Sequence, residues 1–122
     1  MKQVLLIEDD QWLADSYKKA VTSGGFSVTA VRDAYSAMEQ IKRKTPDVIV
    51  ADMLLDGHSV LTLLHELQTY NDTKKIPVVI CSGVVDRTLS SKLESYGVRA
   101  VCDKAEVTMP ALVTLIKEMV DE

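Results

Sequence analysis

Residues 46–52 read Pro46-Asp47-Val48-Ile49-Val50-Ala51-Asp52. Four consecutive apolar residues, two of them valine, end abruptly on one aspartate. Continuous rather than alternating apolarity means burial on both faces, as in a parallel strand covered by helices on either side. Pro46 sits just before the run, where it can end a loop without breaking a ladder. The same signature recurs upstream at Val4-Leu5-Leu6-Ile7, followed by Glu8-Asp9-Asp10. It recurs downstream at Val78-Val79-Ile80-Cys81 after Pro77, and at Val98 to Cys102. Phe26 to Val31 alternates instead, which predicts an edge strand with one side partly wet.

Between these runs the apolar period becomes helical. Leu13, Tyr17, Ala20 and Val21 form one stripe, stopped by Gly24-Gly25. Ala34, Ala37, Met38 and Ile41 form the next, with Asp33 as the expected N-cap. Val60, Leu63, Leu64 and Leu67 form the third, and Leu89, Leu93 and Tyr96, closed by Gly97, the fourth. Leu112, Leu115, Ile116 and Met119 form the fifth, with Pro110 in its first turn. The order is strand–helix repeated five times. Right-handed crossovers then put helices on both faces of one parallel sheet, an α/β doubly wound fold.

Of the 122 residues, 47% are hydrophobic, enough for one core, so residues 1–122 are expected to form one domain. The fifth helical stripe reaches almost to the end of the sequence, and no output domain is expected within it. A formal charge of −4 argues against direct nucleic-acid binding, which needs clustered Lys and Arg. No apolar run approaches membrane-spanning length, and the start lacks a charged segment with a long apolar one behind it. Neither a membrane partner nor a secretory signal is expected. Two cysteines make no disulfide framework, which points to a reducing cytoplasm.

Open α/β sheets bind ligands at the carboxyl ends of their strands. Those ends carry Glu8-Asp9-Asp10, Asp52, Ser82-Gly83 and Asp103-Lys104. If the strands bearing them are neighbours, the groups converge on one rim. Carboxylates crowded there repel one another unless a cation lies among them. Hard oxygen donors suit Mg²⁺, which keeps several waters and takes one or two direct carboxylates. A hydroxyl, a lysine, backbone N–H groups and Mg²⁺ are the parts that hold a phosphoryl group. Asp52, alone at the end of the central strand, is the acid best placed to attack phosphorus, giving an acyl phosphate.

At these spacings Leu6-Ile7-Glu8-Asp9-Asp10, Asp47 to Asp52, Pro77 to Gly83 and Asp103-Lys104 together resemble the receiver domains of bacterial two-component response regulators. The resemblance runs the whole length of the sequence. It implies a flavodoxin-like (βα)5 fold with strand order 2-1-3-4-5 and a signalling role limited to self-catalysed phosphotransfer and dephosphorylation. Asp52 matches the phosphorylated aspartate. Asp9 matches the direct Mg²⁺ ligand, Glu8 one that binds through water, and Leu54 one that offers its main-chain carbonyl. Ser82 with Gly83 matches the switch hydroxyl and its neighbour, and Lys104 the phosphate-pairing lysine. The implied donor is a histidine kinase or a phosphotransfer protein; the downstream protein partner is left unnamed.

Three positions depart from the family's habit. Ala105 follows the lysine where proline, often after a cis bond, is usual. Since a cis bond before a non-proline residue costs about 2.5–4 kcal/mol, a different loop is expected to hold Lys104. Val101 stands where Tyr or Phe is usual, and Asp56 where proline is. A receiver without its phosphate dependence, acting as a protein-interaction module, is the alternative these departures suggest. A dehalogenase-type hydrolase would want a second aspartate where Leu54 stands. Asp56-Gly57-His58 is similar to the start of the Asp-x-His-x-x-Gly motif of cobalamin-binding domains, but Leu61 replaces the final glycine.

Remaining signals have bland readings. His58 and His65, seven apart on one helical face, are expected to be solvent-facing rather than a metal pair. Cys81 and Cys102 fall on strands that should be adjacent; a redox pair is conceivable, core packing the expectation. Trp12 is expected to pack on its own helix.

Overall fold

The computed structural model describes residues 1–55, 58–83 and 92–120. In chain order the elements are β1 (Gln3–Ile7), α1 (Gln11–Ser23), β2 (Ser27–Val31), α2 (Ala34–Arg43), β3 (Val48–Ala51), β4 (Leu54–Leu55), β5 (His58–Ser59), α3 (Leu61–Thr69), β6 (Val78–Ser82), β7 (Val98–Asp103) and α4 (Met109–Val120). Five strands form one parallel sheet in the order β2-β1-β3-β6-β7, the 2-1-3-4-5 order of the flavodoxin-like fold. The fourth helical stripe lies partly outside the described residues, Leu89 among the omitted part; Leu93 is buried and Gly97 ends the stretch at φ 85°.

The apolar runs are buried on both sides, and successive residues feed different layers. Leu5, Ile7, Ile49, Ala51, Val78 and Ile80 pack against Ala37, Met38 and Ile41 of α2 and Leu63, Leu64 and Leu67 of α3. Val4, Leu6, Val48, Val50, Val79 and Cys81 pack against Ala14, Tyr17 and Val21 of α1 and Leu112 and Ile116 of α4. This is the two-residue alternation of a strand read from both faces. β2 remains half wet, as its pattern predicts, while Phe26 just before it is buried.

Local chemistry fixes the helix ends. Asp33 caps α2, its Oδ1 accepting from the Ser36 N–H at 2.7 Å. Asp10 caps α1, accepting from the N–H groups of Trp12 and Leu13 at 3.0 and 3.1 Å. Gly24 caps the other end of α1 in close contact with α4; a Cβ there would lie 2.6 Å from Val113 Cγ1. The short β4–β5 pairing, Leu54 with Ser59 and Leu55 with His58, has no counterpart in the sequence reading.

Candidate functional site

The rim formed by the ends of β1, β3, β6 and β7 gathers the expected groups. Parallel pairing sets Ile7 beside Ala51, and Ser82 beside Asp103, so the residues that follow arrive together. The backbone continues the ladder one step past the strands. Glu8 N–H donates to Val31 O at 3.0 Å, Asp52 N–H to Ile7 O at 3.2 Å and Lys104 N–H to Ser82 O at 2.9 Å. The site side chains therefore sit on a hydrogen-bonded edge, not on free loops.

Glu8, Asp9 and Asp52 bring one carboxylate oxygen each within 4.8 Å of one another. Asp10, the third acid of the run, is turned away to cap α1. Glu8 is almost wholly buried at 3% exposure. Lys104 crosses from β7 to place Nζ 2.8 Å from Asp52 Oδ2 and 2.9 Å from Glu8 Oε2. The contact with Glu8, a residue 96 positions away, was not foreseen from the sequence. Ser82 is buried at the same rim. At Gly83 a Cβ would meet no atom within 4 Å, so the main chain there is open to approach.

Burial is the largest influence on Glu8 and raises its pKa from the usual 4.5; the Lys104 hydrogen bond, the Asp10 N–H and the lysine charge only partly oppose it. Burial also works against the Lys104 ammonium, but hydrogen bonds to Asp52 and Glu8 together with their charges outweigh it and raise its pKa. The lysine is thus held charged as the internal counter-ion of the acid cluster.

The donor set fits a hard divalent cation. An octahedral ion with oxygen bonds of about 2.0–2.1 Å spans roughly 4.2 Å between opposite ligands. A spread of up to 4.8 Å suits direct bonds from some carboxylates and a water bridge to another.

The loop after Lys104 is built without the family's proline. No cis peptide occurs among the described residues. Instead Asp103 organises the turn: its Oδ1 accepts from Ala105 N–H at 2.9 Å, and its carbonyl accepts from Glu106 and Val107 N–H at 3.0 and 2.8 Å. Val101 is partly buried against the α2–α3 side of the sheet. Leu54 opens the β4–β5 hairpin two residues past Asp52. Asp56 and Gly57 lie outside the described residues. Trp12 departs from expectation: it is 77% exposed rather than packed on its helix. His65 is exposed, with an edge contact to the Tyr96 ring at 6.2 Å.

Comparison with known proteins identifies the family. The family model of the response regulator receiver domain matches residues 4–117, and the chain belongs to that family of signalling domains. Among named relatives, it is 30% identical over 83 residues to transcriptional regulatory protein CseB of Streptomyces coelicolor, covering 68% of this chain and 34% of that protein. It is 28% identical over 93 residues to sensory transduction protein RegX3 of Mycolicibacterium smegmatis, covering 76% of this chain and 41% of that protein. The chain thus spans well under half the length of these curated relatives. A CheY-like response regulator receiver domain protein from Methanospirillum hungatei superimposes with a TM-score of 0.88 at 21% identity, covering 99% of this chain and 94% of that one. That likeness shows the shared fold. No described helix is long and apolar enough to cross a membrane.

Proposed function

We propose that the chain is a phosphorylation-dependent signalling switch in which Asp52 accepts a phosphoryl group from a histidine kinase or phosphotransfer protein. The observation that carries this reading is the Lys104 ammonium, 2.8 Å from Asp52 Oδ2 inside a cluster of three carboxylates. The Asp52 side chain is 17% exposed and reachable from the rim. Its free oxygen forms the bond to phosphorus as the phosphorus–nitrogen bond of the donor imidazole breaks. Lys104 exchanges its contact with Glu8 for the incoming phosphoryl oxygens. The Ser82 hydroxyl and the Gly83 N–H would donate to the same group. Glu8, Asp9, Asp52 and the main-chain carbonyl of Leu54 would hold Mg²⁺, which when bound supplies neutralisation of the phosphoryl charge. Reversal by water makes the chain a catalyst of its own turnover only. A cytoplasmic location accompanies a kinase donor of this kind.

Intact-mass spectrometry with acetyl phosphate, with and without Mg²⁺, tests the reading. Wild type gains one phosphoryl group only with the metal, and Asp52→Asn gains none. Equal incorporation in both removes Asp52 from this role. A second reading, a phosphate-independent interaction module, draws on Val101 and on the trans Lys104–Ala105 turn; it requires Asp52→Asn to bind its partner as wild type does.

A further inference from the structure

The signalling reading leaves one pair of reactive groups unused. Cys81 of β6 and Cys102 of β7 are direct register partners, one rung below the Ser82–Asp103 pair. Both side chains belong to the α1–α4 face of the sheet, so they point to the same side. Neighbouring strands lie about 4.8 Å apart, within the roughly 4.4–6.8 Å separation of Cα atoms that a disulfide bridges. Cys81 is buried at 2% exposure, while Cys102 is partly open to solvent. Interaction between the two thiols lowers the Cys102 pKa, and the same interaction, with burial, raises that of Cys81. One sulfur is therefore the accessible nucleophile and the other sits protected behind it.

We propose that Cys81 and Cys102 form a reversible intramolecular disulfide in the folded protein, made by a peroxide oxidant and tying β6 to β7 directly beneath Ser82 and Lys104. The Cys102 thiolate attacks a peroxide oxygen. A sulfur–oxygen bond forms, the oxygen–oxygen bond breaks, and the departing hydroxide takes up a proton as water. The Cys81 sulfur then attacks Cys102. The sulfur–sulfur bond forms, the sulfur–oxygen bond breaks, and the Cys81 proton leaves with the oxygen as a second water. Two thiols are oxidised and one hydrogen peroxide is reduced to two waters. A small thiol such as dithiothreitol reverses the bond by exchange.

Buried cysteines commonly serve as small hydrophobes. What distinguishes this pair is that two different strands each supply a thiol at the same rung, next to the backbone bond from Lys104 N–H to Ser82 O. Cross-linking that rung stiffens the part of the rim that carries both residues. The proposal does not rest on phosphate acceptance at Asp52, and its readout contains no phosphate.

The test is to treat the folded chain with hydrogen peroxide without denaturant, quench with an alkylating agent, and measure intact mass and the cross-linked peptide. Wild type loses two hydrogen atoms, resists alkylation at both cysteines and recovers with dithiothreitol. Cys102→Ser and Cys81→Ala each abolish the loss. Amide exchange at residues 98–103 slows in the oxidised protein. Covalent dimers, oxygen addition at Cys102 with no cross-link, or a cross-link that forms only in urea overturns the proposal. Unchanged exchange at residues 98–103 in a cross-linked sample refutes the stiffening.

Discussion

Removing the internal counter-ion is the sharpest perturbation of this site. In Lys104→Met the stem is kept and the ammonium is lost, leaving Glu8 and Asp52 without their contacts at 2.9 and 2.8 Å. The gross attraction of each pair is about 6 kcal/mol at an effective dielectric of about 20, but the desolvation of the ammonium offsets much of it. The net cost is governed by Glu8, which is 3% exposed and would be left ionised and unpaired. Breaking a fully buried pair costs about 3–5 kcal/mol, and water at the rim reduces that here. Protonation sets a ceiling. Keeping Glu8 neutral at pH 7, from an ordinary value of 4.5, costs about 3.4 kcal/mol at 1.36 kcal/mol per pH unit. A loss of about 2–3 kcal/mol follows, smaller than either limit.

The pH dependence has a definite sign. Burial already raises Glu8, and loss of the lysine raises it further. A raised carboxyl contributes stability below its unfolded value and loses it as pH climbs through the folded one. The deficit of Lys104→Met should therefore shrink to less than about 1 kcal/mol at pH 5 and be largest above pH 7. A divalent cation that binds only the folded form restores about 1.4 kcal/mol at ten times its Kd. It should help the variant more than the wild type, where the ammonium contacts the same oxygens. Urea titrations at pH 5 and pH 7.5, with Mg²⁺ or a chelator, measure all of this. Equal midpoints for variant and wild type at pH 7.5 in chelator refute the reasoning, as does a deficit that is the same at both pH values.

Asp10→Ala removes both side-chain bonds that cap α1 and should cost about 1 kcal/mol, read as a lowered urea midpoint; an unchanged midpoint means the cap is replaced by water without cost. Leu54→Asn puts an amide two residues past Asp52 in the sequence, able to hydrogen-bond an attacking water, and should speed loss of phosphate. A decay constant that does not move defeats that idea. With beryllofluoride and Mg²⁺, amide exchange should change more at residues 53–55 and 58–60 than at 99–103, because Val101 has no ring to relocate; the reverse order overturns the expectation.

The sheet was legible because its residues are apolar on both faces. Val48 to Ala51 could satisfy that pattern only in the middle of a covered sheet, and they lie there. Caps were legible where a lone acid preceded a helical stripe, as at Asp33. Asp10 was harder, because an acid inside an acid run reads as part of the cluster and its capping bonds appear only once the helix is built. Trp12 was misplaced for a related reason. Helical period says which residues share a face, and a single aromatic in the first turn has no stripe to join. The β4–β5 hairpin is two residues long on each side, too short to carry a period at all.

The contact between Lys104 and Glu8 was invisible for a different reason, and it carries the chemistry. The sequence shows four acids near two strand ends and one lysine on a third, with nothing to say which acids the lysine meets. In the fold Asp10 is withdrawn to the helix, so three carboxylates face one ammonium. In formal charges that leaves the cluster with two negative charges in excess, and burial raises the Glu8 pKa despite its salt bridge. Protonation could remove one of those charges only at the cost of weakening the grip on Lys104. A divalent cation would cancel both and leave the lysine free to turn toward a new anion. Addition of a doubly charged phosphoryl group to Asp52 would then find a neutral site where it had been overfull. In the proposed switch, the same residues that make the resting rim electrostatically uncomfortable would therefore favour an anion that arrives after a metal.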